Sequence, residues 1–153
     1  MTISKAMDLR GFIDFLEERG ELRRIKVRVS RDLEITEIVD RVVKSGGPAL
    51  LFENVEGYDV PLLINLYGSH QRVAWALGVD HMDELTDRVR KLLAIVEGPP
   101  KGLLNKLNAA GDIIGLVRSQ PKIVSKGTCQ EVILTGEEID LTILPALKCW
   151  PMD

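Results

Sequence analysis

The sequence predicts an α+β fold, a small mixed β-sheet covered by helices, and three observations carry that reading. Residues 49–52 are apolar at successive positions, as are 62–66 apart from Asn65, so each strand needs cover on both of its faces. Val55, Glu56, Gly57, Tyr58 and Asp59 lie between them as a short loop suited to a hairpin. The segments on either side repeat their apolar residues at helical spacing, as helices laid on a sheet do.

In chain order, Asp8 caps a first helix over residues 8–19. Its apolar stripe is Leu9, Phe12, Ile13 and Leu16, and Met7 is placed to staple Phe12. Gly20 ends it, since glycine accepts the positive φ of a helix stop. Leu22, Ile25, Val27 and Val29 then give an interrupted alternation with Arg23, Arg24, Lys26 and Arg28, which predicts a strand near a sheet edge with one face buried. The basic residues there discourage edge-to-edge aggregation rather than bind an anion, because no aromatic or glycine-rich partner accompanies them. Ser30 or Asp32 caps the next helix, residues 34–45. Its stripe is Ile35, Ile38, Val39, Val42 and Val43, β-branched residues of modest helix propensity that need the sheet for support.

Gly46, Gly47 and Pro48 stop that helix before the central hairpin, whose strands are expected at 49–54 and 62–66. Ser69 caps a short third helix with Val73, Ala76 and Leu77 turned inward and Gly78 as its stop. Met82, Leu85, Val89, Leu92, Leu93 and Val96 mark a fourth, residues 82–97. Glu84 with Arg88 and Asp87 with Lys91 are i,i+4 pairs on its wet face. Gly98, Pro99, Pro100 and Gly102 form the strongest break, closing a domain of residues 1–100. A weakly helical connector follows over 101–120. Residues 131–135 predict a strand, and 141–147 an extended segment kept irregular by Pro145.

Composition narrows function mainly by exclusion. With 153 residues, 45% hydrophobic, there is enough chain for one real core. A net charge of −3 and seven aromatic residues give neither a general pull on nucleic acid nor a base-stacking platform. No apolar run approaches the roughly 20 residues of a membrane span, and no hydrophobic leader opens the sequence, so a cytoplasmic protein is expected. Cys129 and Cys149 lack CxxC spacing and read as free thiols.

No residue pattern announces an active site. His70 and His81 are not in ligand spacing and read as helix-end surface residues. Glu53 and Asn54, just past a buried strand, are placed either to face a ligand or to anchor a loop through Asn54, and the anchoring role is the expectation. Asn65 interrupts an apolar strand and must find hydrogen-bond partners if buried. The loop at Gly46 precedes a strand and so lacks the helix N-terminus of a phosphate loop. Cys149 has no base near it in sequence to make it a nucleophile.

Resemblance adds what spacing does not. The run Gly-Gly-Pro-Ala-Leu-Leu-Phe-Glu-Asn-Val-Glu-Gly-Tyr over residues 46–58, then Pro61 and Asn65-Leu66-Tyr67-Gly68-Ser69 with Arg72, closely resembles the N-terminal region of UbiD-type decarboxylases. So do Asp8-Leu9-Arg10-Gly11-Phe12-Ile13, Gly20-Glu21-Leu22, Ile143-Leu144-Pro145 and Cys149-Trp150-Pro151-Met152-Asp153, in the same order along the chain. The resemblance implies reversible decarboxylation of polyprenyl-hydroxybenzoate or another aromatic or α,β-unsaturated acid, as in ubiquinone biosynthesis. It further implies prenylated FMN as electron sink, held with a divalent metal (manganese) and a monovalent cation (potassium) in a split β-barrel domain. In that family the cofactor ligands and the Glu-Arg-Glu catalytic network follow the Cys-Trp-Pro-x-Asp segment. The resemblance therefore gives this chain no catalytic, cofactor-binding or metal residue of its own, and no activity alone.

Residues 121–153 would begin the barrel as an extended tail, with the remainder of the decarboxylase, its split-barrel and C-terminal domains, as partner. Without that partner, self-association is expected; no nucleic acid or membrane partner is. The alternative is a stand-alone binding or assembly module with the same fold that catalyses nothing.

Overall fold

The computed structural model describes residues 8–97, 121 and 123–153. The Met7 staple, the break at Gly98 and the connector helix fall outside the described residues. The chain divides into two compact units, one reaching to Met82 and completed by Asp140–Asp153, the other Asp83–Ile139.

The first unit holds a three-stranded mixed sheet in the order β1-β2-β3: β1 (Leu22–Ile25), β2 (Ala49–Phe52) and β3 (Leu62–Ile64). β1 runs parallel to β2 with Leu22 opposite Ala49, and β3 runs antiparallel to it with Leu50 opposite Ile64. All four residues of β2 are buried. Successive side chains of a strand point to opposite faces, so β2 feeds two cores. Ala49 and Leu51 join Phe12, Phe15, Leu16 and Leu22 on one side, against α1 (Leu9–Glu18). Leu50 and Phe52 join Val29, Ile35 and Val55 on the other, against α2 (Glu34–Lys44). The two-sided burial expected of β2 is thus met by one helix on each face. The expectation fails for β3, which is a half-buried edge strand with a pairing partner on one side only.

Helix boundaries follow their signals. Asp8 accepts the Gly11 N–H at 2.8 Å, capping α1, and Gly20 follows the helix with φ +72°. The buried face of α1 is rotated from the expected stripe. Leu9 is exposed, while Phe15 enters the core, stacked on Phe12 and edge-on to Trp75 of α3 (His70–Ala76). On α2 Ile35 is buried and Ile38, Val39 and Val42 pack beside it, while Val43 is exposed. Neither Ser30 nor Asp32 caps α2 as expected. The N-cap is Leu33, in the left-handed region at φ 66°, with no side-chain cap. Ser30 instead receives the Asp32 N–H on its hydroxyl, and its own N–H donates to Glu34 Oε2.

On α3 the inward residues are Arg72 and Ala74; Ala76 and Leu77 face water, because burial of the Arg72 side chain fixes the rotation of this short helix.

From Asp83 on, α4 (Met82–Glu97) belongs to the second unit, and its bounds agree with the expected ones. Asp87 pairs with Arg90 at 2.7 Å, three residues on, instead of with Lys91. Residues 131–135 form no strand. They are exposed, since no neighbouring strand offers them hydrogen bonds among the described residues. No helix of the described residues is long and apolar enough to cross a membrane.

Candidate functional site

The starts of β1 and β2 and the end of β3 meet at one end of the sheet, because β3 is antiparallel to the other two. Chain segments must change direction there, so backbone groups are left without ladder partners. The side chain that collects them is Arg72. Ser69 caps α3 by accepting the Arg72 N–H on its hydroxyl at 3.2 Å. That geometry directs the arginine back under the sheet end, where it is 1% exposed. Its Nη1 donates to Glu21 Oε2 at 2.6 Å, and its Nη2 donates to the carbonyls of Gly47 and Asn65, both at 3.3 Å. Nε is buried without a partner.

Asn65 completes the arrangement. It has φ 59°, a left-handed conformation that asparagine tolerates better than most residues, and its Nδ2 donates to Pro48 O at 2.9 Å and Gly47 O at 3.3 Å. The half-buried polar residue that interrupts the apolar run therefore has its partners, just beyond β3. Gly68 is required beside it: a Cβ there would lie 1.7 Å from Asn65 Oδ1 and 3.0 Å from Arg72 Nη2. Above this layer an open depression of about 450 Å³ is lined by Tyr67, Gly68, Ser69, His70 and Val73. Tyr67 is exposed and stacks on Phe12.

At the other end of the sheet, Glu53 is engaged by Arg24 at 2.7 Å, and Arg24 also holds Glu17 at 2.9 Å. Glu53 first and then Glu17 raise the guanidinium pKa above its usual value. Asn54 donates to Lys26 O at 3.5 Å. Both residues anchor structure, but Asn54 does so through backbone distant in sequence and not through the local backbone expected of it. His70 and His81 are exposed, and among the described residues no three His, Cys, Asp or Glu side chains are grouped to hold a metal. Cys149 is exposed, with Thr36 Oγ1 at 3.9 Å from its sulfur.

What the described residues hold is a pinned sheet end with its one buried charge engaged, an arrangement that positions chain. Arg72 is the residue that reading by spacing does not single out. Ser69 three residues before it, with Asn65 and Gly68 alongside, is the signal that marks it.

Residues 13–92, just over half of the chain, match the 3-octaprenyl-4-hydroxybenzoate carboxy-lyase N-terminal domain. Among solved structures, vanillic acid decarboxylase of Sedimentibacter hydroxybenzoicus in its closed form is 31% identical, with 58% of this chain and 20% of that one covered and a TM-score of 0.52. The evolved dimeric form of the UbiD-class enzyme HmfF from Pelotomaculum thermopropionicum, in complex with prFMN, is 35% identical over 60% of this chain and 20% of that one, with a TM-score of 0.47. The chain spans about a fifth of the length of these enzymes.

Proposed function

Since the chain belongs to the UbiD (3-octaprenyl-4-hydroxybenzoate carboxy-lyase) family through its N-terminal domain, we propose that it serves as the N-terminal part of a cytoplasmic decarboxylase. The reaction is reversible, non-oxidative loss of CO2 from an aromatic or α,β-unsaturated acid. The observation that supports this reading is the match over residues 13–92, which spans both helix-covered faces of the sheet and the Arg72 pin.

Prenylated FMN, when bound, supplies the electron sink for the carbanion left by decarboxylation. Its phosphate and accompanying cations need several carboxylate, imidazole or cationic donors directed at one point. The described residues do not fit it: they offer no such cluster of metal ligands, and the Arg72 guanidinium already serves Glu21 and two carbonyls. Cofactor binding and catalysis are therefore assigned to the remainder of the decarboxylase. The contribution of this chain is the N-terminal domain of that enzyme.

Intact mass of the natively expressed protein tests the reading. A product several hundred residues longer than this chain, yellow after reconstitution with prenylated FMN and releasing CO2 from hydroxybenzoate or cinnamate-like acids, is expected. A native product of 17.0 kDa without turnover would replace it with the non-catalytic binding or assembly module.

A further inference from the structure

We propose that residues 145–149 are a strap that holds the start of α2 in its conformation, so that strap and helix start open and close together. The inference stands independently of the decarboxylase reading. It begins from Leu33, which caps α2 at φ 66° with no side-chain hydrogen bond of its own. A γ-branched residue in the left-handed region is strained, and it persists only where surrounding contacts fix it.

Those contacts come from more than a hundred residues away in sequence. Lys148 donates its N–H to Arg31 O at 3.2 Å and accepts the Leu33 N–H at 3.3 Å, a parallel bridge astride Asp32. Thr36 Oγ1 donates to the same Lys148 carbonyl at 3.1 Å, and Arg31 Nη1 donates to Ala146 O at 2.8 Å. Lys148 Nζ lies 3.8 Å from Asp32 Oδ1. Pro145 is buried, and Leu147 packs on the core of Val29, Ile35, Leu50, Phe52 and Val55.

The strap thus supplies both an N–H partner for the strained cap and an apolar anchor beneath it. Directly after it, Asp153 Oδ2 accepts the N–H groups of Cys149 and Trp150 at 2.8 and 2.7 Å, which turns the chain. A displacement of that turn draws out Lys148, frees Leu33 to leave the left-handed region and unwinds the first turn of α2, where the Glu37 N–H donates to Leu33 O. Ile35, on that turn, carries the change to the Phe52 face of the sheet. Packed side chains and hydrogen bonds between the two elements are the physical route for such coupling.

Native-state hydrogen exchange on the whole chain tests this. In Leu147→Asp the amides of Leu33, Glu37 and Lys148 are expected to exchange at least tenfold faster together, while those of Ala49 and Glu53 in the sheet keep their rates. Adding Leu33→Gly should return Glu37 towards its original rate and leave Lys148 fast, because glycine adopts a positive φ without strain. Acceleration at Lys148 alone, or failure of Leu33→Gly to restore Glu37, would overturn the proposal. If Ala49 and Glu53 also accelerate, Leu147→Asp has unfolded the unit and Thr36→Val decides. Equal acceleration at Leu33 and Lys148 then supports the strap, and acceleration at Lys148 alone rejects it.

Discussion

Arg72 Nη1 and Glu21 Oε2 are 2.6 Å apart, yet the two side chains sit in different surroundings: the guanidinium side chain is 1% exposed and the carboxylate side chain 37%. Breaking the pair is therefore asymmetric. Without Arg72, Glu21 turns to water and only two long carbonyl contacts lose a donor. Without Glu21, a buried charge loses its counter-ion. Glu21→Ala is expected to destabilise the fold by about 3 kcal/mol, the lower end for an orphaned buried charge because Glu21 is itself partly exposed and its removal opens the guanidinium to solvent. Arg72→Met should cost about 1–2 kcal/mol. The double variant should be more stable than Glu21→Ala alone. Urea denaturation of the three proteins measures this, and the reverse order would show that the carbonyl contacts dominate.

Gly68 gives a second, steric prediction. The Cβ of Gly68→Ala would overlap Asn65 Oδ1 at 1.7 Å, so Asn65 must swing away and release the carbonyls of Gly47 and Pro48. The Pro48 carbonyl then loses its donor while Gly47 O keeps Arg72 Nη2, and a loss of about 1–3 kcal/mol is expected. Asn65→Gly removes the obstructing side chain and keeps the φ of 59° easily, so the double variant should lose much less than the sum of the singles. Additive losses would place the cost of Gly68→Ala elsewhere.

Leu51 tests the centre of the sheet. It is buried with Phe12, Phe15 and Leu16 under α1. Leu51→Asp puts an unpaired carboxylate there, and a loss of several kcal/mol is expected, enough to unfold a domain of ordinary stability. Thermal melting reads it directly: a midpoint within a degree or two of the parent would mean that this strand is peripheral.

These positions separate what a sequence displays from what it conceals. Periodicity located α1 and α2, and the unbroken apolar run of β2 announced cover on both faces, because those signals are local. β3 carries the same kind of run but lies at the edge, since strand order is decided by pairing partners and not by composition. The Leu9 stripe does not display Phe15, because its partner Trp75 is sixty residues away in sequence and turns the helix towards itself. Burial of Arg72 is concealed for a chemical reason: arginine is nearly always exposed unless paired, and its partner Glu21 is fifty-one positions distant. The positive φ of Leu33 has no signal of its own, since it is held from residue 148.

Asp140 provides a pH prediction. Its Oδ1 accepts the Thr142 hydroxyl at 2.6 Å and the Thr142 N–H at 2.8 Å, and these two bonds, the hydroxyl first, hold its carboxyl below the usual pKa. A depressed folded-state pKa contributes stability that is present above the unfolded value and lost as pH falls through the folded one. NMR titration should find Asp140 ionised in mildly acidic solution where exposed carboxylates are already protonating. Thr142→Val should move it upward. An unchanged midpoint in that variant would assign the shift to the backbone N–H alone.

The last prediction concerns residues 131–135, which have strand-like composition without a strand. Val132 is 76% exposed, Ile133 70% and Leu134 50%, so three successive apolar side chains face water. Ordering each backbone residue costs about 1–2 kcal/mol, and side chains this exposed recover little of it. Pairing with the same segment of a second copy would supply both the missing ladder and apolar cover, and its benefit rises with concentration while the ordering cost does not. Size-exclusion chromatography across a dilution series should therefore show earlier elution at high concentration, with exchange at 131–135 slowing in parallel. Ile133→Asp should elute at the dilute position throughout, because a charge opposed to its own copy across the pair is repulsive as well as poorly solvated. If parent and variant co-elute at every concentration, this segment does not mediate association. If its amides are nevertheless protected in the dilute protein, its partner lies within the same chain.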